Sequence, residues 1–232
     1  VSTIKKFNIK KIKAIVSMYL GGYPENINQL YKLKKKYKFT LIEDACHAFG
    51  STYKISKQRY FIGSCKHSDI SVFSFHPVKT ITTGEGGLLT TNNKRNYLEA
   101  EKYRSHGIIR NNKDYWNYDI KNLGFNYRLS DINCALGISQ LKKLNKFILY
   151  RKQIYQLYSK KLKKFKEYIT IPQYNKKGSP SYHLFIIIIN FNKLKKNKKD
   201  FFIFMNKNSI YPQFHYKPIN RFSFYKPKNI KY

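Results

Sequence analysis

The sequence predicts an α/β protein with a mostly parallel β-sheet flanked by helices, followed by part of a smaller α+β unit. Short apolar runs alternate with stretches of helical period through the first half of the chain, a pattern typical of parallel sheets covered by helices. With 232 residues, 42% of them hydrophobic, the chain is also long and apolar enough to bury a core. This composition excludes a disordered protein.

The first half carries strands and helices in turn. Apolar runs predict strands over residues 13–20, 39–45, 69–75 and 88–91. Apolar residues on one helical face predict a helix over 25–37: Ile27, Leu30, Tyr31 and Leu33. A second helix over 93–106 ends at Gly107, because glycine accommodates the left-handed backbone that commonly follows a helix. Parallel sheets bind ligands at the carboxyl ends of their strands, so we expect the functional site there.

The second half begins with a polar, aromatic loop over 111–126 and a long helix that starts at Ser130, an expected N-cap, and runs to about residue 165. A strand over 182–190, a helix over 198–208 and a strand over 210–215 follow. A long helix that leaves a sheet domain marks a domain boundary. We therefore divide the chain into a large domain, 1–145, and a linker helix with part of a small domain, 146–232.

The charge balance is strongly basic, with 46 Lys and Arg against 12 Asp and Glu, for a net charge of +34. A cationic nucleic-acid-binding protein is one interpretation. However, 39 of the 46 cations are lysine and they occur in both halves, whereas phosphate recognition favours the bidentate arginine fork. We therefore predict that the charge is spread over solvated surfaces and that nucleic acid is not a partner.

The cysteines and the apolar runs indicate the cellular compartment of the protein. Cys46, Cys65 and Cys134 are odd in number and widely spaced, which predicts neither a disulfide framework nor a structural metal site. No apolar run is long enough to span a membrane. We therefore expect a cytoplasmic protein with reduced cysteines that does not bind membranes.

Lys79 is the first candidate catalytic residue. It follows a predicted strand in the run Ser71–Gly87, SVFSFHPVKTITTGEGG, which ends as a glycine-rich turn. A lysine partly desolvated at a strand end has a lowered pKa and can form a Schiff base with an aldehyde. Against this, Lys79 is one of 39 lysines, and an arbitrary lysine is solvated.

Asp44 and His47 follow the preceding strand and supply the context for Lys79. A carboxylate at a strand end can hold the protonated ring nitrogen of pyridoxal phosphate, which keeps that ring an electron sink. His47 can bond a ring hydroxyl. Taken alone, Asp44 is also a helix N-cap and His47 a satisfied buried histidine. Together with Lys79 they fit pyridoxal 5'-phosphate better than any other cofactor.

Five motifs follow one another over almost the whole chain: EDACHAFG at 43–50, SFHPVKTITTGEGG at 74–87, RSHG at 104–107, GFNYRLSDINCALG at 124–137 and FHYKPI at 214–219. In these motifs the chain resembles the DegT-like sugar-nucleotide aminotransferases, and within them the members of the pseudaminic acid pathway. Five motifs in order are more specific than any single one.

The resemblance implies a fold-type I, pyridoxal-phosphate-dependent aminotransferase with roles for named residues. Lys79 would attach the cofactor and move the proton, Asp44 would pair with the ring nitrogen, and His47 would bond the phenolic oxygen. Ser74 would bond the phosphate, and Asn126 would reach the phosphate of a neighbouring subunit in a homodimer. Two further residues would contact the nucleotide diphosphate of the substrate: Arg128 and His215. Asn126 capping a turn and Arg128 as a surface cation remain the simpler interpretations.

The implied reaction moves an amino group, with glutamate as donor, to the C4 ketone of a UDP-linked 4-keto-6-deoxy amino sugar. Members of the family carry a phosphate-binding segment before the region where this chain begins, and they continue beyond the HYKPI motif. The chain therefore resembles one truncated at both ends. A catalytically inactive relative or decayed fragment is the alternative, and a cationic nucleic-acid-binding protein is the second alternative.

Overall fold

The computed structural model describes residues 12–110, 113–114, 116–174 and 178–225. The elements of the first part are β1 (Ala14–Met18), α1 (Ile27–Tyr37), β2 (Thr40–Asp44), the hairpin β3 (Thr52–Ile55) and β4 (Gln58–Phe61), β5 (Ile70–Ser74) and β6 (Gly87–Thr90). The sequence predicts these strands and this helix except for the hairpin, which the sequence reasoning missed. They are followed by α2 (Lys94–Arg104), β7 (Ile108–Arg110) and β8 (Tyr118–Ile120). The remaining helices and strands are α3 (Asp131–Leu141), α4 (Leu144–Leu162), β9 (Ile169–Thr170), β10 (Gly178–Ser179), β11 (Ile188–Ile189), α5 (Phe191–Leu194) and α6 (Lys198–Lys207).

The central sheet has the strand order β1-β2-β5-β6. β1 and β5 both pair with β2 in parallel, and β6 pairs with β5 antiparallel. The predicted mostly parallel α/β sheet is thus confirmed. The carboxyl ends of β1, β2 and β5 meet at one edge, because Met18 pairs with Asp44 and Asp44 pairs with Val72.

The two faces of this sheet differ in burial. One face packs on a core formed by Tyr19, Ile27, Ala45, Ala48, Tyr53, Ile62 and Phe73. On β1, Val16 and Met18 are 63% and 43% exposed, and their partners in the ladder are Ile42 and Asp44. Since side chains alternate between faces along a strand, Asp44 lies on the open face and its neighbour Glu43 on the buried one.

The helix caps follow local sequence. Ser130 caps α3 by accepting a hydrogen bond from the backbone N–H of Asn133 at 3.3 Å, as predicted. Asn93 caps α2 in the same way. Lys38 ends α1 in a left-handed conformation, and the N–H of Lys38 donates to the carbonyl of Lys34 at 2.8 Å.

Apart from the unpredicted hairpin, the structure differs from the predicted elements in four places. The helix expected from Ser130 to about residue 165 breaks between α3 and α4 at Lys142 and Lys143. Sequence spacing conceals the break, because Leu141 and Leu144 keep a helical three-residue interval across it. In the predicted loop 111–126, residues 118–120 form β8 and pair with β7, whereas residues 111, 112 and 115 lie outside the described part.

The strand predicted over 182–190 is reduced to β11, and the strand predicted over 210–215 does not form. The start of this run hydrogen-bonds to the turn after β1 instead of to a neighbouring strand. The N–H groups of His183 and Leu184 both donate to the carbonyl of Gly21, at 2.9 and 3.3 Å.

The chain divides into two compact units: Val1–Lys164 with Ile171–Ile187, and Phe165–Thr170 with Ile188–Tyr232. The first contains the central sheet, the three-stranded sheet β10-β3-β4 and the helices through α4. The second contains the antiparallel pair β9 and β11 with α5 and α6, an α+β arrangement. The domain division at 145/146 stays a prediction.

Candidate active site

Asp44 is the last residue of β2 and lies half-buried on the open face of the sheet. Its Oδ1 accepts a hydrogen bond from the backbone N–H of Cys46 at 3.2 Å, and its backbone carbonyl accepts one from Tyr19 N–H at 3.1 Å. These bonds hold the strand end and its carboxylate. A carboxylate oriented in this way can accept a further hydrogen bond from a ligand at the sheet edge.

Lys79 lies in the connection between β5 and β6, where the N–H of Lys79 donates to the carbonyl of His76 at 2.9 Å. The connection is folded back on Phe75, whose carbonyl accepts bonds from Thr83 N–H at 3.0 Å and from Thr82 Oγ1 at 2.9 Å. These hydrogen bonds fix the backbone of the loop, and the loop backbone positions the half-buried Lys79. Lys79 therefore departs from the fully solvated lysine that its residue type alone would predict.

The charges of Asp44 and Lys79 both affect the pKa of the Cys46 thiol. Burial raises the pKa of the Cys46 thiol to about 11, assisted by a hydrogen bond to Asp44 and by the negative charge of Asp44, while the positive charge of Lys79 lowers it. Both charged groups thus act on one half-buried thiol. Asp44 ends β2 and Lys79 follows the neighbouring parallel strand β5, so both lie after strands that end at the carboxyl edge of the sheet.

Ser74 ends β5 and is half-buried. It lies two residues beyond Val72, the partner of Asp44 in the ladder. Its Oγ accepts a hydrogen bond from His76 N–H at 3.3 Å, so its own proton is available to a ligand oxygen. In the same loop Thr80 Oγ1 is buried and has no hydrogen-bond partner among the described residues.

His47 is buried, with 3% of its surface exposed. Its Nδ1 accepts a hydrogen bond from Gly21 N–H at 3.3 Å, so in the neutral ring the proton is on Nε2. Its ring centroid lies 4.4 Å from that of His183. This contact set makes His47 a well-packed residue that ties the strand end of β2 to the turn after β1.

Asn126, Arg128 and His215 belong to other segments of the chain than Asp44 and Lys79. Asn126 is exposed and forms an isolated antiparallel bridge with Ser105. Arg128 is also exposed. His215 is half-buried and lies in the second compact unit. Their roles stay predictions.

A buried network around Glu43 escaped the sequence reasoning. Glu43 is 2% exposed, and its carboxylate accepts hydrogen bonds from Tyr19 Oη at 2.8 Å and from Ser71 Oγ. Ser71 Oγ lies 3.4 Å from the Cys65 thiol, which also donates to the carbonyl of Thr90. The network links Tyr19, directly after β1, to β2, β5 and β6. The pair of consecutive acids at 43 and 44 was the available signal, because one of two neighbours in a strand must face the core.

The arrangement fits pyridoxal phosphate. It offers a carboxylate for a protonated ring nitrogen, an amine nearby for an aldehyde, and the hydroxyl of Ser74 with a proton to donate. The buried and unpaired Thr80 Oγ1 beside Lys79 is a further polar atom that a ligand could satisfy. Among the described residues there is no group of three His, Cys, Asp or Glu that could hold a metal ion. No helix within the described ranges has the length and hydropathy to cross a bilayer.

The fold and the strand-end site define the class: an α/β protein of the sugar aminotransferase fold. The chain belongs to the DegT/DnrJ/EryC1/StrS aminotransferase family, which matches residues 1–231. The predicted family and fold are thus confirmed.

Individual relatives agree with this family. The chain is 43% identical over 219 residues to a UDP-4-amino-4,6-dideoxy-N-acetyl-beta-L-altrosamine transaminase from Campylobacter jejuni, with 94% of this chain and 56% of the relative covered. It is 34% identical over 188 residues to a GDP-perosamine synthase from Escherichia coli O157:H7, with 81% of this chain and 47% of the relative covered.

Solved structures show the same fold. Helicobacter pylori PseC, an aminotransferase involved in the biosynthesis of pseudoaminic acid, superposes with a TM-score of 0.83 at 34% identity, over 92% of this chain and 55% of that one. The PLP form of the putative sugar aminotransferase Spr1654 from Streptococcus pneumoniae superposes with a TM-score of 0.81 at 25% identity, over 97% of this chain and 60% of that one. The chain spans about half the length of these relatives.

Proposed function

We propose that this chain carries the cofactor-binding part of a pyridoxal-phosphate-dependent aminotransferase that acts on a nucleotide sugar. The observation that supports this most directly is that Asp44 ends β2 and Lys79 follows the neighbouring parallel strand β5, while the charges of both act on the Cys46 thiol. Family membership and the C. jejuni relative support the finer proposal. In it, the substrate is a UDP-linked 4-keto-6-deoxy amino sugar, aminated at C4 with glutamate as donor.

Each of the proposed site residues has a separate role. Pyridoxal phosphate, when bound, supplies the electron sink for amino transfer. Asp44 would hold the proton on the ring nitrogen by charge and hydrogen bonding, and Lys79 Nζ would anchor the aldehyde and then move the proton as general base and acid. Ser74 Oγ would donate to the phosphate. His47 would hydrogen-bond the phenolic oxygen.

The more distant residues complete the proposal. Asn126 would reach the phosphate of the neighbouring subunit, for which its exposure is a precondition. Arg128 would bind the nucleotide diphosphate as a charged donor, and the resemblance implies the same role for His215. A homodimer in the cytoplasm is part of this proposal.

Labelling tests the cofactor role. The 232-residue chain is mixed with an equal amount of pyridoxal phosphate, reduced with borohydride and digested, and the modified lysine is identified by mass spectrometry. We expect the label on Lys79, and its loss in Lys79→Ala but not in Lys66→Ala, an exposed lysine outside the strand-end loop. A label distributed equally over surface lysines in the unmodified chain would refute the assignment.

Glutamate then separates an active enzyme from an inactive relative. Added to the loaded chain, it should convert the cofactor from the aldehyde to the amine form, and a UDP-linked 4-keto sugar should convert it back. A chain that carries the label on Lys79 but supports neither half-reaction would be a relative that binds the cofactor without catalysis.

A further inference from the structure

Helix α3 contacts the connection between β5 and β6 that carries Lys79. We call this connection, residues 75–86, the lysine loop. Two backbone hydrogen bonds close its base: Phe75 N–H donates to the Gly86 carbonyl at 2.9 Å, and Thr83 N–H donates to the Phe75 carbonyl at 3.0 Å. Because these bonds join the two ends of the lysine loop, a contact that holds one end also restrains the other.

Asn133 on α3 holds the second end of the lysine loop. Its Nδ2 donates a hydrogen bond to the Glu85 carbonyl at 3.1 Å, across 48 positions of sequence. The same carbonyl accepts a hydrogen bond from Thr83 Oγ1 at 2.8 Å. The Glu85 carbonyl therefore joins the lysine loop to the helix.

Ser130 fixes the orientation of the Asn133 amide. Ser130 Oγ donates to Asn133 Oδ1 at 3.0 Å, and the backbone N–H of Asn133 donates to Ser130 Oγ at 3.3 Å. An amide oxygen accepts hydrogen bonds and an amide nitrogen donates them. The bond to Oδ1 thus directs Nδ2 toward the Glu85 carbonyl, so the residue that caps α3 also orients the side chain that reaches the lysine loop.

The backbone of α3 approaches the lysine loop closely at Gly137. A Cβ added at Gly137 would lie 2.9 Å from Thr83 Cγ2, which is too short for an ordinary contact, and Thr83 is 4% exposed. Asn133 and Gly137 are four positions apart and therefore share one face of the helix. This face packs on the lysine loop through both a polar and an apolar contact.

We propose that Asn133 is a positioning residue for Lys79, an inference that rests on the proposed cofactor role of that lysine. Asn133 fixes the Glu85 carbonyl, and the backbone bonds at the base of the loop pass this restraint to Phe75. The next residue, His76, accepts the hydrogen bond from Lys79 N–H at 2.9 Å. A lysine held in place before it binds an aldehyde loses less conformational entropy on binding than a mobile one.

Amide hydrogen exchange of the 232-residue chain tests the restraint without a cofactor. Asn133→Leu keeps a side chain of similar volume and removes its hydrogen bonds. Peptides that cover the lysine loop should exchange about fivefold faster or more in this variant, since one net hydrogen bond is worth a factor of this order. Unchanged exchange of the lysine loop in Asn133→Leu would overturn the proposal.

Gln140→Leu is the matched control. Gln140 is a half-buried amide on the same helix, and it lies outside the hydrogen bonds that connect Ser130, Asn133 and Glu85. Exchange of the lysine loop in Gln140→Leu should equal that of the unmodified chain. Faster exchange in both variants would show a general loosening of α3 and would overturn the specific role of Asn133.

Borohydride labelling with pyridoxal phosphate tests the effect on Lys79. Asn133→Leu should lower the label on Lys79 relative to the exposed Lys66 by about fivefold, and Asn133→Gln, which keeps an amide donor, should restore part of this selectivity. The midpoint of urea unfolding is measured for each variant. A selectivity that simply followed this midpoint would show a structural role only and overturn the proposal.

The labelling also separates this inference from the proposed function. Selective label on Lys79 that persists unchanged in Asn133→Leu would overturn the positioning role and leave the cofactor role of Lys79 intact. Label spread evenly over the lysines of the unmodified chain would refute the proposed function and, with it, the role of Asn133.

Discussion

Glu43 and Asp44 are consecutive residues at the end of β2, and their carboxylates lie on opposite faces of the central sheet. Glu43 is 2% exposed and bonded to Tyr19 and Ser71. Asp44 is half-buried on the open face and bonded to the N–H of Cys46. One acid therefore contributes to the stability of the strand edge while the other is available to a ligand.

Replacement of Glu43 should destabilise the fold. Glu43→Ala leaves the hydroxyls of Tyr19 and Ser71 without their acceptor, and we expect the free energy of unfolding to fall by about 3 kcal/mol. Glu43→Gln keeps an acceptor oxygen and should cost about 1 kcal/mol. Urea denaturation measures both. Glu99→Ala, which removes a half-exposed ion pair with Lys102 on α2, should cost less than about 0.5 kcal/mol. An equally small loss in Glu43→Ala would contradict the stabilising role of the Glu43 network.

Cys46 should become reactive at a higher pH than an ordinary thiol. The thiolate is the nucleophile, and burial together with Asp44 raises the pKa of Cys46 to about 11. Alkylation by iodoacetamide should therefore be slow at pH 8 and increase up to about pH 11. Peptide mass spectrometry follows Cys46 separately from the exposed Cys134. Alkylation of Cys46 that is already at its plateau at pH 9 would contradict the predicted shift.

The neighbours of Cys46 should move this profile in opposite directions. Asp44→Asn removes a negative charge and should lower the pKa of Cys46, so that alkylation begins at lower pH. Lys79→Ala removes a positive charge and should raise that pKa further. The same alkylation series measures both. If Lys79→Ala left the profile unchanged while Asp44→Asn moved it, Lys79 would lie too far from Asp44 to share a cofactor.

Gly22 should tolerate no side chain. Its φ is +88°, and an added Cβ would meet Ser181 Oγ and lie 2.6 Å from the His47 carbonyl oxygen. We expect Gly22→Ala to lower the free energy of unfolding by about 3 kcal/mol or more. Gly84→Ala separates collision from backbone strain, because Gly84 has φ of +79° but open space around its Cβ position. Its cost should be about 1 kcal/mol, and equal costs in the two variants would show that collision contributes nothing.

Binding to DNA should be weak and sensitive to salt. Exposed lysines occur on separate elements, for example Lys35 and Lys36 on α1 and Lys160 and Lys161 on α4. Scattered contacts of this kind give affinity that falls by about 10³-fold or more between 50 and 200 mM salt. Fluorescence anisotropy with DNA duplexes of random sequence measures this salt dependence. Tight binding that discriminates among sequences at physiological salt would favour the nucleic-acid alternative.

Local sequence predicted much of the first unit. The strands β1, β2, β5 and β6 and the helices α1 and α2 follow from short apolar periods and caps, which depend on residues a few positions apart. The motifs around Asp44 and Lys79 indicated the family, and strand-end placement indicated the sheet edge at which β2 and β5, the strands before these two residues, both end.

Other features depended on contacts between distant segments. The run over 182–190 has the composition of a strand, but the carbonyl of Gly21 takes the N–H groups of His183 and Leu184, so the longer strand does not form. The break between α3 and α4 is invisible in the spacing of Leu141 and Leu144. The hydrogen bonds that Glu43 receives depend on Tyr19 and Ser71, 24 and 28 positions away along the chain.

The sequence by itself determined the fold class, the family and the residue types at the strand ends, because periodicity and motifs are local properties. Only the tertiary structure decided that Glu43 faces the core while Asp44 faces the open side, and that Tyr23, Tyr155, Tyr174 and Tyr182 surround one cleft. Tyrosines are common in this chain, 21 of 232 residues, so no local pattern distinguishes these four. Long-range packing brought them together, since ring contacts form wherever burial outweighs the entropy of closing the intervening loops.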